Sequence, residues 1–122
     1  MDILKFCLQA VLCPGNTIFM MGTRMPKLRS DCEFAMLAAN KMKALGHPLR
    51  LRIVAILKEH DTHVNALAEE LAAPQSVVSQ HLRILRMEGL VGLERRDGFS
   101  YYRLSEPRIV NLLNCVESCE WH

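Results

Sequence analysis

A chain of 122 residues, half of them hydrophobic and 23% charged, can build one modest core and is too ordinary in composition to be fibrous or disordered. Its net charge of +2 excludes a global basic field, so any affinity for nucleic acid has to be local. Five cysteines, an odd number without an even ladder of spacings, argue against a secreted disulfide scaffold and for thiols in a cytoplasmic protein, and no apolar run approaches the roughly 18 residues that span a membrane.

Residues 1–28 are expected to form a flexible or loosely docked N-terminal segment, and 29–122 the folded domain. In the first of these, the apolar run Phe6–Leu12 follows a single lysine. No clean small-residue cleavage site comes after it, and Met21 and Met25 offer alternative starts. Ser30 or Asp31 can then cap a first helix ending at Leu45, with Phe34, Leu37, Ala38, Met42 and Leu45 on one stripe and Gly46 as the stop. Pro48 suits the first turn of a second helix to about Glu59, whose apolar face is Leu49, Ile53, Ile56 and Leu57. Asp61 or Thr62 caps a third, roughly His63–Leu71, burying Val64, Leu67, Ala68 and Leu71.

Ala72-Ala73-Pro74 reads as a tight turn into a fourth helix that runs to about Glu88 and stops at Gly89. Val78, Leu82 and Leu85 recur at i, i+4 and i+7 and so face the core. Leu90–Arg96 and Phe99–Leu104 alternate like strands about Asp97-Gly98, a hairpin signal. A fifth helix, about Pro107–Cys119, carries Ile109, Leu112, Leu113 and Val116 as its stripe. The expected fold is mainly α with a small β-hairpin: four helices, two strands and a last helix, the layout of a winged helix-turn-helix. Such a unit presents a helix to the major groove of DNA.

The polar face of the fourth helix has the chemistry that base reading requires. Glutamine pairs bidentately with adenine, arginine with guanine, and serine with base edges or phosphate. Ser76, Ser79, Gln80, His81 and Arg83 are therefore the expected base-reading set, with Gln75 on the same DNA-facing side. Arg86, Arg95, Arg96 and Tyr101 are placed for phosphate or minor-groove contact, which positions without specifying. A catalytic site has little support, because no local pattern pairs a nucleophile with a base and no glycine-rich loop cradles phosphate. A winged helix used for protein contact alone is the rival from another class, and it predicts no salt-dependent DNA binding.

The segments KALGHPLRLRIVAIL, ELAAPQSVVSQHLRILRMEGLV and RRDGFSYYRL, within about Met36–Cys119, resemble the ArsR/SmtB-type repressors. The resemblance implies a homodimer through the first and last helices. It also implies repression by occupying a pseudo-palindromic operator, with recognition helices about 34 Å apart, and release by an inducer. Three inducer sites known in that family each fail in part. The third-helix Cys-Val-Cys pattern is replaced by Thr62-His63-Val64-Asn65. The last-helix zinc set aligns with Glu106, Arg108, Cys119 and His122, and an arginine cannot ligate a cation. The second-helix cysteine of the persulfide and oxidant sensors aligns with Ala55.

What the chain offers instead is Cys115 and Cys119, four apart on one helix, with Cys32 at the start of another. Three soft thiolates suit As(III) or Sb(III), or Cd or Zn with a fourth ligand such as His122; oxidation of the same cysteines is the alternative, and small buried packing residues a third reading. No cofactor is required by any of these. Among the histidines, His47 before Pro48 reads as a cap or packing group, His60 and His63 as solvated, and His81 as pointing from the fourth helix toward DNA.

Overall fold

The structure, a computed structural model, describes residues 27–121. Expectations placed on residues 1–26 and on His122 lie outside the described residues. The chain divides into two compact units, one ending at Asn40 and the other comprising Lys41–His122. The described part of the first holds a short helix α1 (Lys27–Ser30) and the start of α2 (Cys32–Leu45). Asp31 caps α2 as expected, its Oδ1 accepting from the Phe34 amide at 3.1 Å. The expected apolar stripe of this helix is only partly used: Leu45 is buried, together with Ala44 from outside the stripe, whereas Leu37 and Met42 stay 57% and 55% exposed.

The second unit continues with α3 (Pro48–Glu59), α4 (Val64–Leu71), α5 (Gln75–Met87), the hairpin β1 (Val91–Arg96) and β2 (Phe99–Leu104), and α6 (Arg108–Ser118). Its core is Ile53, Val54 and Leu57 of α3, Leu67 and Leu71 of α4, and Val78, Leu82 and Leu85 of α5, closed by Leu90, Val91, Ile109 and Leu113. Each of these large side chains contributes about 1.5–3 kcal/mol by leaving water. Lys58 ties α6 to α3 by reaching Asn114 at 3.1 Å and Glu117 at 2.9 Å. Among the described residues no helix is long and apolar enough to cross a membrane.

One device ends both helices of the helix-turn-helix. At α4 the amides of Ala72 and Ala73 return to the carbonyls of Glu69 and Ala68; at α5 those of Gly89 and Leu90 return to Arg86 and Leu85. The device needs a left-handed residue, which Gly89 supplies freely at φ 72° and Ala72 at some strain at φ 52°. Lys41 adds a second stop to α5, its Nζ donating to the Glu88 carbonyl at 2.6 Å.

The strands pair antiparallel from Val91↔Leu104 to Arg96↔Phe99. The two residues between them, Asp97 at φ 51° and Gly98 at φ 82°, are both left-handed, the turn whose twist matches that of paired strands. Thr62 supplies a third, single-residue strand: it donates to the Tyr102 carbonyl at 3.1 Å and accepts from the Tyr102 amide at 2.7 Å. This corrects the expected cap of α4. Thr62 is committed to the sheet and Asp61 to Arg96, so the next residue, His63, caps the helix, its Nδ1 accepting from the Ala66 amide at 3.2 Å.

Candidate nucleic-acid interface

Because Val78, Leu82 and Leu85 are wholly buried, the turn geometry of α5 forces the opposite residues outward. Gln75, Ser76, Ser79, Gln80, Arg83 and Arg86 are all exposed, and among the described residues none of their side chains is committed to another group. The face therefore offers two amides, two hydroxyls and two guanidinium groups without an internal hydrogen bond to break. Pro74 stands at the N-cap with no side-chain cap, so the leading end of the helix keeps free amides and its positive dipole end, both favourable to phosphate.

Two residues that the sequence reading left out belong to this face. Ile84 is 39% and Met87 77% exposed, interleaved with Gln80 and Arg83 at helical spacing. The signal was present, since both fall outside the Val78, Leu82 and Leu85 stripe. Apolar side chains here have the chemistry that packs on a thymine methyl. Phe99, 65% exposed beside the hairpin turn, is a third omitted residue.

His81 departs from its expected place. It is half-buried on the flank of α5 that meets α3: its ring lies 4.4 Å from that of His47, centroid to centroid, tilted 36°. Its Nδ1 faces an Arg50 guanidinium nitrogen at 3.2 Å. Desolvation, then the neighbouring His47 and Arg50, hold its pKa below the ordinary histidine value. A groove reader would need this ring outside, and α3 keeps it in. His47 fulfils its expected role as the cap of α3, accepting from the Leu49 amide through Nδ1 at 3.1 Å.

On the hairpin, the arginines part company. Arg95 is exposed, and among the described residues no carboxylate pairs with it. Arg96 is held by Asp61 at 2.8 Å and Glu94 at 2.9 Å, with its guanidinium 5.6 Å from the centre of the Tyr101 ring. Its hydrogen bond and charge hold the Glu94 carboxyl below its usual range, with Arg103 adding to the effect from 3.7 Å. Arg96 is thus paired with two carboxylates at the surface, whereas Arg95 is not. Tyr101 is half-buried, edge-on to His63 at 6.1 Å, so it braces the hairpin against the start of α4.

The cysteines also differ from expectation. Cys32, expected as a thiolate, is disulfide-bonded. Cys115 and Cys119 are free and exposed, so neither is its partner. Cys119 is not on the helix: α6 ends at Ser118, and Cys119 is extended at φ −78°, ψ 139°. The last carbonyls of α6, whose last turn carries no basic residue of its own, take donors from Ser118 and the residues after it. Ser118 Oγ donates to the Cys115 carbonyl at 2.8 Å, Cys119 Sγ to the same oxygen at 3.2 Å, and Trp121 Nε1 to Val116 at 3.1 Å. No group of three or more His, Cys, Asp or Glu side chains suited to a metal ion occurs among the described residues.

A shallow apolar groove of about 210 Å³ runs beside α6, lined by Met42, Leu45, Gly46, Leu51, Leu112, Leu113 and Val116.

Comparison with known proteins places this geometry. Residues 47–92 match the family model described as bacterial regulatory protein, arsR family. The biofilm growth-associated repressor of Xylella fastidiosa (strain 9a5c) is 36% identical over 95 residues, covering 77% of this chain and 83% of that protein. The crystal structure of the transcriptional repressor BigR from Xylella fastidiosa superposes with a TM-score of 0.65 at 33% identity, covering 73% of this chain and 93% of that one. The solution structure of a homodimeric winged helix-turn-helix DNA-binding domain from Mycobacterium bovis gives a TM-score of 0.65 at 26% identity, covering 80% and 87%.

Proposed function

Since this chain belongs to the ArsR family of bacterial regulatory proteins, we propose that it is a transcriptional repressor that occupies a pseudo-palindromic operator as a homodimer. The observation that carries this reading is the uncommitted polar face of α5, whose six exposed donors and acceptors stand clear of the core. In that reading Ser76, Ser79, Gln80 and Arg83 read base edges, while Gln75, Arg86 and Arg95 hold phosphates. Related proteins named as repressors and a homodimeric DNA-binding domain support it. The apolar groove of Leu112, Val116 and Met42 is the surface a second copy would cover, because exposed apolar area beside a helix gains most from self-association.

Selection of binding sites from a pool of random duplexes tests this directly. The expected product is an inverted repeat with half-sites centred about 10–10.5 bp apart or at a multiple of that spacing, bound by two chains, with affinity falling steeply as salt rises. Enrichment of no sequence, together with salt-independent binding, would favour a protein-contact role instead.

Thiol chemistry at Cys115 and Cys119 is the proposed release signal, favoured because both sulfurs are free and exposed. Among the described residues these two donors are one short of the trigonal set that As(III) or Sb(III) prefers, and Cd or Zn want four. A metal or metalloid needs further ligands, such as His122 or the thiols of a second protomer; an oxidant needs only the two thiols. The selected duplex, bound by fully reduced protein, is expected to be released by at least one of arsenite, cadmium or hydrogen peroxide. The double variant Cys115→Ser, Cys119→Ser is expected to stay bound. Release of the variant at the wild-type dose sinks the thiol reading and leaves the operator reading standing.

A further inference from the structure

We infer that His81 is a positioning residue that docks the DNA-reading helix onto the start of α3 only while its ring is neutral, which makes operator binding proton-gated. The inference rests on the reading of α5 as that helix, and on the hydrogen bonding of three side chains. Arginine can only donate, so the contact between Arg50 and His81 Nδ1 at 3.2 Å requires that nitrogen to accept. The proton of the neutral ring then sits on Nε2. His47 is fixed in the same sense: its Nδ1 accepts from the Leu49 amide, so its proton also lies on Nε2. Arg50 is itself anchored, its Nε donating to the Ala44 carbonyl at the end of α2.

Protonating His81 places hydrogen on Nδ1, where it meets the Arg50 guanidinium instead of accepting from it. The hydrogen bond becomes a repulsion between like charges. The site is hostile to a second cation on other grounds as well. His81 is half-buried, and its neighbours belong to the first turn of α3, where the helix dipole is positive. The charged or titratable groups that act on His81 are His47 and Arg50, both from α3; among the described residues no carboxylate faces it. Relief comes only by the ring leaving its place, and the ring is attached to α5 between Gln80 and Leu82. Turning it out toward solvent rotates or loosens the face that carries Gln80 and Arg83.

The sign follows from the direction of the shift. A histidine whose neutral form is favoured in the folded protein contributes fully above its ordinary pKa of about 6.5, and its contribution is lost as pH falls through the lowered value. Acid also charges any exposed imidazole and strengthens attraction to phosphate on every duplex alike. The informative quantity is therefore the ratio of affinity for a selected duplex to that for a scrambled duplex of equal length.

For the full-length wild-type chain this ratio is expected to fall about tenfold between about pH 7.5 and about pH 5.5. His81→Gln, whose side-chain oxygen can accept from Arg50 but does not titrate, is expected to hold a ratio that changes less than about twofold. Ring NMR of the wild-type protein supplies a measurement that does not depend on the variant folding: His81 is expected to carry its proton on Nε2 and to titrate below about 6.5. A flat ratio in wild-type protein, an equal fall in His81→Gln, or an Nδ1-protonated ring at neutral pH overturns the inference. A chain that discriminates duplexes at neutral pH but shows a flat profile overturns this inference alone; a chain that discriminates none overturns the operator reading as well.

Discussion

Alanine at both Gln80 and Arg83 is expected to abolish sequence discrimination while leaving the fold intact. Each bidentate pairing of glutamine with adenine or arginine with guanine is worth about 1–3 kcal/mol against the wrong base. A two-fold symmetric dimer makes each pairing twice. The summed loss approaches the whole margin of about 4–10 kcal/mol that separates specific from non-specific binding. The ratio of selected to scrambled duplex should therefore drop by about 10³-fold or more, since every 1.4 kcal/mol is tenfold. Binding to scrambled duplex should weaken only by what one lost cation per protomer removes. Both side chains are exposed, so the stability should change by no more than exposed substitutions usually cause, about 0.5 kcal/mol. Retention of the wild-type ratio would show that base reading lies on another surface.

Leu82→Ala is the complementary experiment, with a large effect on stability. Leu82 is wholly buried in the stripe that fastens α5 to the core, and truncating such a leucine costs about 2–5 kcal/mol through lost burial and the cavity left behind. That is a large part of the 5–15 kcal/mol by which a domain is typically stable. At fixed protein concentration, needed because association and folding are linked, the midpoint should fall by about 8 °C or more. Ile84→Ala, two residues along the same helix but 39% exposed, should change it little. Equal shifts in the two variants would mean that α5 is rotated from the orientation described.

The contrast between those two residues shows what could be read from the chain before its structure. The period of Val78, Leu82 and Leu85 fixes which side of α5 is buried, because only one face of a helix can meet one core. The hairpin was equally legible, since Asp97-Gly98 satisfies a turn with two left-handed residues that few other pairs tolerate. Local chemistry also marked Asp31 and His47 as caps.

Long-range partners were not legible. His81 sits on the edge of the apolar stripe, where sequence leaves a side chain free to face either way; His47 and Arg50, more than 30 positions earlier, decide it. Arg96 reads as a free cation until Asp61, 35 residues away, is brought beside it. The cap of α4 passed to His63 because Thr62 was taken by Tyr102. Cys119 left its helix because carbonyls with no following turn recruit whatever donors lie next in the chain. In each case the residue type named the capability and a distant segment chose among its uses.

The reciprocal bonds between Thr62 and Tyr102 bear on how the protein fits a duplex. They clamp the middle of β2 to the residue just before the cap of α4, so hairpin and helices behave as the two jaws of one calliper with a fixed opening. Neither jaw can slide along the backbone without shearing two hydrogen bonds at once. Adjustment to a wider or narrower groove is thereby resisted within the individual chain, and in the proposed dimer any accommodation to unequal half-sites falls to the way the two copies are joined.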